Sequence, residues 1–311
     1  MENLENTGEN QTRCAVVGIV GRTNSGKSTL LNGMVGEKIS IVSPVVQTTR
    51  NTVRGILTEP RGQLVFLDTP GLHKSEGVLG TLMNRMARQV SAGVDVLAVV
   101  FDSSRHPRME DDGWMRRAVF AEQPLVFVLN KNDLKPSYAE RFQELWEQIQ
   151  TEKGIRRDVK WVSVSALHPK TVSPLIDELF ALATPTSGLL FPEDVVTDYP
   201  RKLAIADAIR EKLLFKLRDE VPHEIGILVE QITETDDAWK VVVTLYVNRP
   251  SQKGIVIGPK GRMIRYVRSQ AEPELSEIFG VKVELDIWVK IERDWMKNFW
   301  LLQRMGYAGQ L

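Results

Sequence analysis

Short apolar runs recur through the first half of the chain: CAVVGIV after Arg13, QLVFLD at Gln63–Asp68, VLAVVFD at Val96–Asp102, LVFVLN at Leu125–Asn130 and VKWVSVSA at Val159–Ala166. Each is rich in β-branched residues, and each is followed by enough chain to hold a helix. The pattern predicts an α/β domain, a mostly parallel sheet with helices on both faces. A Gly-rich turn follows the first run, and a helix is expected from Lys27. Near residue 184 the texture changes to turn formers around Pro185, Pro192 and Pro200, the composition of a linker. Beyond it, Ile205, Ile209 and Leu213 mark one helical face. Two strands then alternate at Ile225, Ile227, Val229 and at Trp239, Val241, Val243, Leu245, Val247. A Gly-rich loop leads into a helix bearing Ile264 and Val267, and a last strand alternates at Val281, Val283, Leu285, Ile287 and Val289 before a short helix. The order α-β-β-α-α-β predicts a three-stranded sheet with helices on one face. Pro273 is expected to break or kink the helical stretch between Arg262 and Phe279. The boundaries that follow are a leader over 1–12, a first domain over 13–185, a linker over 186–200 and a second domain over 201–311.

Composition narrows the class. A length of 311 residues suits two domains, and 40 Lys+Arg against 40 Asp+Glu exclude a polycation or an acidic tail while leaving room for a local basic patch. Cys14 is the only cysteine, so an intramolecular disulfide is impossible and a reducing compartment is expected. The longest apolar run, Val94–Phe101, contains Asp95 and falls short of the ~20 residues that span a bilayer. The first dozen residues lack the basic and apolar regions of a signal peptide and are expected to be a solvated leader. A cytoplasmic protein is the expectation, and a monomer, since no heptad or broad apolar face is evident. His73, His106, His168 and His223 show no metal-ligand spacing.

Four motifs stand in order at the ends of predicted strands. Gly21, Arg22, Thr23, Asn24, Ser25, Gly26, Lys27 and Ser28 match the phosphate-loop pattern of Gly, four residues, Gly-Lys-Ser. Its glycines let backbone N–H groups converge on phosphate oxygens; Lys27 reaches the β- and γ-phosphates, and the Ser28 hydroxyl ligates Mg²⁺. Asp68, Thr69, Pro70 and Gly71 follow a second strand, where Asp68 supports the Mg²⁺ shell and the Gly71 N–H senses a γ-phosphate. Asn130, Lys131, Asn132 and Asp133 follow a third; Asp133 accepts the N1 and N2 hydrogens that guanine has and adenine lacks, while the Lys131 stem lies along the base. Ser165 and Ala166 end a fourth, with the Ala166 N–H aimed at guanine O6. Strand C-termini are where open α/β sheets bind ligands.

With Gln47-Thr-Thr-Arg50 between the first two, these motifs resemble the translation-factor class of GTPases over about residues 13–185. The resemblance implies GTP/GDP as the nucleotide and Thr49 as a switch ligand of Mg²⁺, with Thr48 the alternative. Leu72 stands where Ras-like enzymes carry a water-orienting Gln; an apolar side chain cannot do this, so a low intrinsic rate of hydrolysis is expected. Relatives with this Leu and with Asn24 often bind K⁺ beside the phosphates. Asn24 is therefore a K⁺ ligand or a residue tolerating the loop's dihedrals.

In the second domain, VIGPKGRMI at Val256–Ile264 matches the signature of KH domains, and the α-β-β-α-α-β order is that of the type II variety. Gly258, Pro259, Lys260 and Gly261 let a single strand of RNA approach the backbone closely. Arg249, Lys253, Lys260, Arg262, Arg265 and Arg268 make six basic residues with no acidic one among them, a local electrostatic footprint. Ile257 and Ile264 are candidates to hold splayed bases. Trp288, Trp295 and Trp300 are read as core residues, with base stacking the alternative.

A GTPase joined to a KH module, with Phe191-Pro-Glu-Asp-Val-Val-Thr-Asp198 between them, resembles the Era family of bacterial GTPases over nearly the whole chain. That resemblance implies a switch that binds the 3′ region of 16S rRNA, not DNA, and assists late assembly of the 30S subunit. It also implies loose contact with the inner membrane. The rival readings are a non-switching RNA-binding scaffold and a membrane signalling GTPase; the complete nucleotide motifs disfavour the first and the lack of a lipidation motif the second.

Overall fold

Strand β1, Arg13–Val20, sits at the centre of the first sheet because both of its faces are apolar; Ala15, Val17, Ile19 and Val20 are fully buried. The computed structural model describes residues 12–42, 51–70, 79, 81, 83, 85, 89–90, 92–217 and 221–307. Helix α1 (Lys27–Val35) follows β1, then β2 (Val53–Glu59), β3 (Gly62–Asp68), β4 (Val96–Asp102), α2 (Met109–Ala118), β5 (Leu125–Asn130), α3 (Ala139–Lys153), β6 (Lys160–Ser163), α4 (Ser173–Leu182) and the short β7 (Thr184–Pro185). The sheet order is β2-β3-β1-β4-β5-β6, with β7 paired antiparallel to β1. Strands β3, β1, β4, β5 and β6 are mutually parallel, and only β2 and β7 run against them. Register sets the ends of the parallel strands along one rim: Ile19 pairs with Asp68, Asp102 with Asn130, and Leu129 with Ser163.

Strand β2 is an element that the apolar pattern did not reveal. Its free edge is engaged by the segment read as a linker, through the Ile56 N–H donating to Val196 O (2.8 Å) and an Arg54–Asp198 ion pair. Gln63 also exchanges hydrogen bonds with the Phe191 backbone. Such cover blunts a sheet edge that would otherwise template further pairing.

By contact the chain forms two units. The first holds residues up to Lys38, Val53–Thr69 and Arg88–Asp198; the second holds the described residues of Ile39–Thr52 and Pro70–Ala87 together with those from Tyr199 onward. In the second unit come α5 (Arg201–Lys216), β8 (Gly226–Glu234), β9 (Ala238–Val247), α6 (Pro250–Ile257), α7 (Arg262–Phe279), β10 (Lys282–Ile291) and α8 (Phe299–Arg304). The sheet order is β10-β9-β8, the hairpin antiparallel and β9–β10 parallel through the α6–α7 crossover. One sheet face packs Val241, Val243, Leu245 and Leu285 against Ile205, Ile209, Val267 and Leu275 of α5 and α7. On the other face Leu228 and Tyr246 pack with Trp295, Leu301, Leu302 and Met305, and also with Leu79 and Met83.

Two expectations are corrected here. Of the break or kink expected at Pro273, the break does not occur: α7 is one helix from Arg262 to Phe279. Pro273 is exposed, so the Ser269 carbonyl that loses its partner is on the side that water reaches. Of the three tryptophans read as core, only Trp295 is buried; Trp288 is 59% and Trp300 74% exposed. Trp288 lies on an edge strand, and Trp300 on the outer side of a short helix whose Leu301 and Leu302 face inward.

Candidate nucleotide site and RNA interface

The loop from Gly21 to Gly26 turns the chain out of β1 and into α1. At Gly21 a Cβ would lie 2.4 Å from Val100 O, and at Gly26, with φ 96°, it would lie 2.2 Å from Asn130 Nδ2. No other residue fits either place. Asn24 is exposed and holds φ 60°, a left-handed value that Asn tolerates better than most residues. Thr23 is half-buried and Ser25 buried. Lys27 curls back over the loop, its Nζ donating to Gly21 O (3.2 Å) and Arg22 O (2.9 Å). Burial lowers its pKa to about 8, with the charge of Asp68 pulling the other way. A buried ammonium served by two carbonyls is a site for an anion, and a phosphate supplies one. The Arg22 guanidinium turns mainly to Asp102 (3.0 Å) and Asp111 (3.3 Å), with Nη1 donating back to Thr23 O in the loop (3.3 Å).

The Ser28 hydroxyl, in the first turn of α1, donates to Asp68 Oδ2 (2.6 Å) at the end of β3. Thr69 Oγ1 donates to Ile19 O (3.0 Å) and fastens the chain just past β3 to β1; Pro70 is buried. Two oxygen donors converging beside a phosphate loop suit Mg²⁺, which takes one or two protein ligands and completes its shell with phosphate and water. Among the described residues no three His, Cys, Asp or Glu side chains gather as a metal site. Thr48, Thr49, Gly71 and Leu72 lie outside the described residues.

Asn130, the last residue of β5, joins two loops. Its Nδ2 donates to Ser25 O (2.8 Å), and its Oδ1 accepts from the Ala166 N–H (3.0 Å). A base reaching Ala166 therefore shares or displaces that bond. Lys131 holds φ 65° and sends Nζ to Asn24 O and Asp102 Oδ2, each at 2.8 Å. The Asn132 N–H donates to Val164 O (3.0 Å). Asp133 is exposed, and the Ser165 hydroxyl holds its carboxyl below the ordinary carboxylate range. The Ser165 N–H is bound by Thr171 Oγ1 (2.9 Å). The residues of the four motifs that the structure describes thus meet at one rim, and Asp102, which carries no motif signature, is among them.

In the second unit α6 ends at Gly258, a tight turn spans Pro259–Gly261, and α7 starts at Arg262. Gly258 (φ 71°), Lys260 (51°) and Gly261 (73°) all take left-handed values, and a Cβ at Gly258 would lie 3.0 Å from the Met263 backbone nitrogen. The N-terminus of α7, an eighteen-residue helix, has no side-chain cap. Arg249, Lys260, Arg262, Arg265 and Arg268 are exposed and Lys253 partly so; Arg268 is paired with Glu272 (3.0 Å). Ile257 and Ile264 are half-buried, Ile264 against the core. Among the described residues no helix is long and apolar enough to cross a membrane.

Comparison with known proteins matches residues 16–131 to the 50S ribosome-binding GTPase family and residues 220–296 to the KH domain family. GTPase Era of Thermoanaerobacter sp. (strain X514) is 38% identical over 298 residues, 95% of this chain and 97% of that protein. A crystal structure of Era in complex with MgGDPNP and nucleotides 1506–1542 of 16S ribosomal RNA superposes with a TM-score of 0.87 at 32% identity, covering 96% of this chain and 99% of that one. A Tyr-to-Ala variant of Aquifex aeolicus Era bound to GDP·AlF4⁻ gives a TM-score of 0.86 at 32% identity, covering 96% of this chain and all (100%) of that one.

Proposed function

The chain belongs to the Era family of GTPases, and on that premise we propose that GTP held at the rim of the first sheet governs the grip of the KH module on the 3′ region of 16S rRNA during late assembly of the 30S subunit. In this reading the N–H groups of the loop from Gly21 to Gly26 and the Lys27 ammonium bind the phosphates, and Asp133 selects guanine by accepting two hydrogens that adenine does not offer. Ser28 and Asp68, with Thr49 or Thr48, would hold Mg²⁺, which supplies charge neutralisation to the phosphates. Leu72 gives the attacking water no hydrogen-bond partner, so turnover is slow and the switch stays set for longer than a Ras-like rate would allow. The protein acts as a cytoplasmic monomer, and the exposed GPKG turn with its basic flanks takes a single strand of RNA.

The observation that carries the coupling is where the flanks of both switch segments are anchored. The Val42 N–H donates to Glu211 Oε1 (3.0 Å) on α5, and Asn51 Nδ2 donates to Tyr199 OH (3.4 Å), which donates to Asp207 Oδ2 (2.8 Å). These two contacts bracket Thr48 and Thr49 in sequence. Leu79 and Met83, beyond Gly71 in sequence, pack with Leu228 and Tyr246 of the KH sheet. A nucleotide that moves either segment therefore acts on residues already packed in the second unit. The test is binding of a labelled RNA with the 3′-end sequence of 16S rRNA. Tight binding that is lost in Gly258→Asp and not competed by duplex DNA supports the reading; no preference for that RNA over an arbitrary single strand overturns it.

A further inference from the structure

Strand β4 runs between β1 and β5, so its last residue, Asp102, stands between the phosphate loop and the base-recognition loop. Its side chain is 2% exposed. Oδ2 accepts from Arg22 Nη2 (3.0 Å) and from Lys131 Nζ (2.8 Å), and Arg105 Nε lies 4.0 Å away. Oδ1 accepts from the Ser104 N–H (3.2 Å) and the Ser104 hydroxyl (2.5 Å). Burial by itself would raise the Asp102 carboxyl; hydrogen bonds from Lys131 and Ser104 and the charges of Lys131 and Arg22 more than offset it, so the group stays ionised.

One oxygen therefore joins two cations from different loops. Arg22 is the second residue of the phosphate loop, and Lys131 precedes Asn132 and Asp133 in the base loop. The same Lys131 ammonium donates to Asn24 O (2.8 Å). Asn24 and Lys131 hold φ 60° and 65°, a conformation disfavoured for residues with side chains and kept only where surrounding contacts fix it. The tether from Asp102 is such a contact for Lys131 and, through the Lys131 ammonium, for Asn24. We infer that Asp102 is a positioning residue for guanine-nucleotide binding, its carboxylate tying the base loop to the phosphate loop through Lys131 and Arg22 so that both ends of the nucleotide are held at a fixed separation. The inference rests on the nucleotide site proposed above.

Removing the carboxylate charge leaves the buried Arg22 and the half-buried Lys131 without their shared counter-charge. Arg22 keeps Asp111 at 3.3 Å, so Lys131 and the residues after it are the part released. A loosened loop acts on dissociation more than on encounter, and Asp102→Asn is expected to release GDP on the order of 10- to 100-fold faster. KM for GTP should rise by more than kcat falls, because Lys27, Ser28 and Asp68 keep their places.

The experiment is stopped-flow release of fluorescently labelled GDP from the full-length protein and from Asp102→Asn, Lys131→Met and the double variant. A tether predicts that Asp102→Asn adds little in the Lys131→Met background. Wild-type release from Asp102→Asn, or losses that simply multiply in the double variant, overturns the inference and leaves the GTPase reading standing. A wild-type protein that does not bind GDP overturns the reading beneath it instead. Should Asp102→Asn not fold, Arg22→Gln and Lys131→Met carry the same test: they share Asp102, so their losses should be non-additive, and strictly multiplicative losses refute the tether.

Discussion

Replacing Lys27 with Met removes a charge that destabilises the nucleotide-free fold and that the nucleotide needs. Burial holds the Lys27 ammonium at about 8, against 10.5 for a free lysine, a difference of about 3 kcal/mol in favour of the neutral form. Met takes the ammonium away from Gly21 O (3.2 Å) and Arg22 O (2.9 Å), a cost of about 1–2 kcal/mol in all, since Arg22 O keeps the Ser25 N–H at 3.4 Å. Met keeps the stem's volume, so nucleotide-free Lys27→Met should be more stable than wild type at pH 7 by about 1–2 kcal/mol. The dependence on pH fixes the sign. Between about 8 and 10.5 the unfolded chain binds a proton that the folded one does not, so wild-type stability rises with pH and the variant's advantage closes across that window. In saturating GDP the order inverts, because the phosphates reward the charge, and affinity should fall by on the order of a hundredfold. Urea unfolding of the first unit at pH 7 and pH 9.5, without and with GDP, reads all three effects. A variant less stable than wild type at pH 7 without nucleotide, or an advantage undiminished at pH 9.5, would refute the reasoning.

Gly26→Ala should abolish measurable GDP binding, because the new Cβ meets Asn130 Nδ2 at 2.2 Å at a φ of 96°; calorimetric titration with GDP checks it. Trp295→Ala should destabilise the second unit by about 3–5 kcal/mol in urea unfolding, since Trp295 is fully buried and its Nε1 donates to Glu224 O (2.8 Å), whereas Trp300→Ala, 74% exposed, should stay within about 0.5 kcal/mol. Turnover should be faster in KCl than in NaCl if Asn24 ligates K⁺, and faster turnover is the expected outcome; equal rates would assign Asn24 to its φ of 60° alone.

The inner parallel strands were legible because each is a short, largely apolar run, as in Val96–Asp102, where every residue is buried. Strand β2 was not: Val53-Arg-Gly-Ile-Leu-Thr-Glu59 mixes charge, Gly and apolar residues, and becomes a strand by pairing with β3 on one side and meeting Val196 on the other. The KH order followed from clean alternation at Val241, Val243 and Leu245. Pro273 misled because propensity says nothing of whether the freed carbonyl meets water. Trp288 and Trp300 misled because spacing assigns a face and not its cover. At the nucleotide site the glycines and Lys27 are visible as a local pattern, whereas the Arg22–Asp102–Lys131 tether joins residues far apart in sequence and exists only once β1, β4 and β5 lie side by side. The anchoring of Val42 on Glu211 and of Asn51 on Tyr199 is long-range in the same way.

The measurement closest to the central claim is the affinity for 3′-end 16S RNA with GDP and with a non-hydrolysable GTP analogue, alongside the affinity for each nucleotide with and without that RNA. The account predicts that RNA affinity differs by about tenfold or more between the two nucleotides, and that the same ratio appears in the nucleotide affinities, as linkage requires. Equal RNA affinity in both states would contradict it.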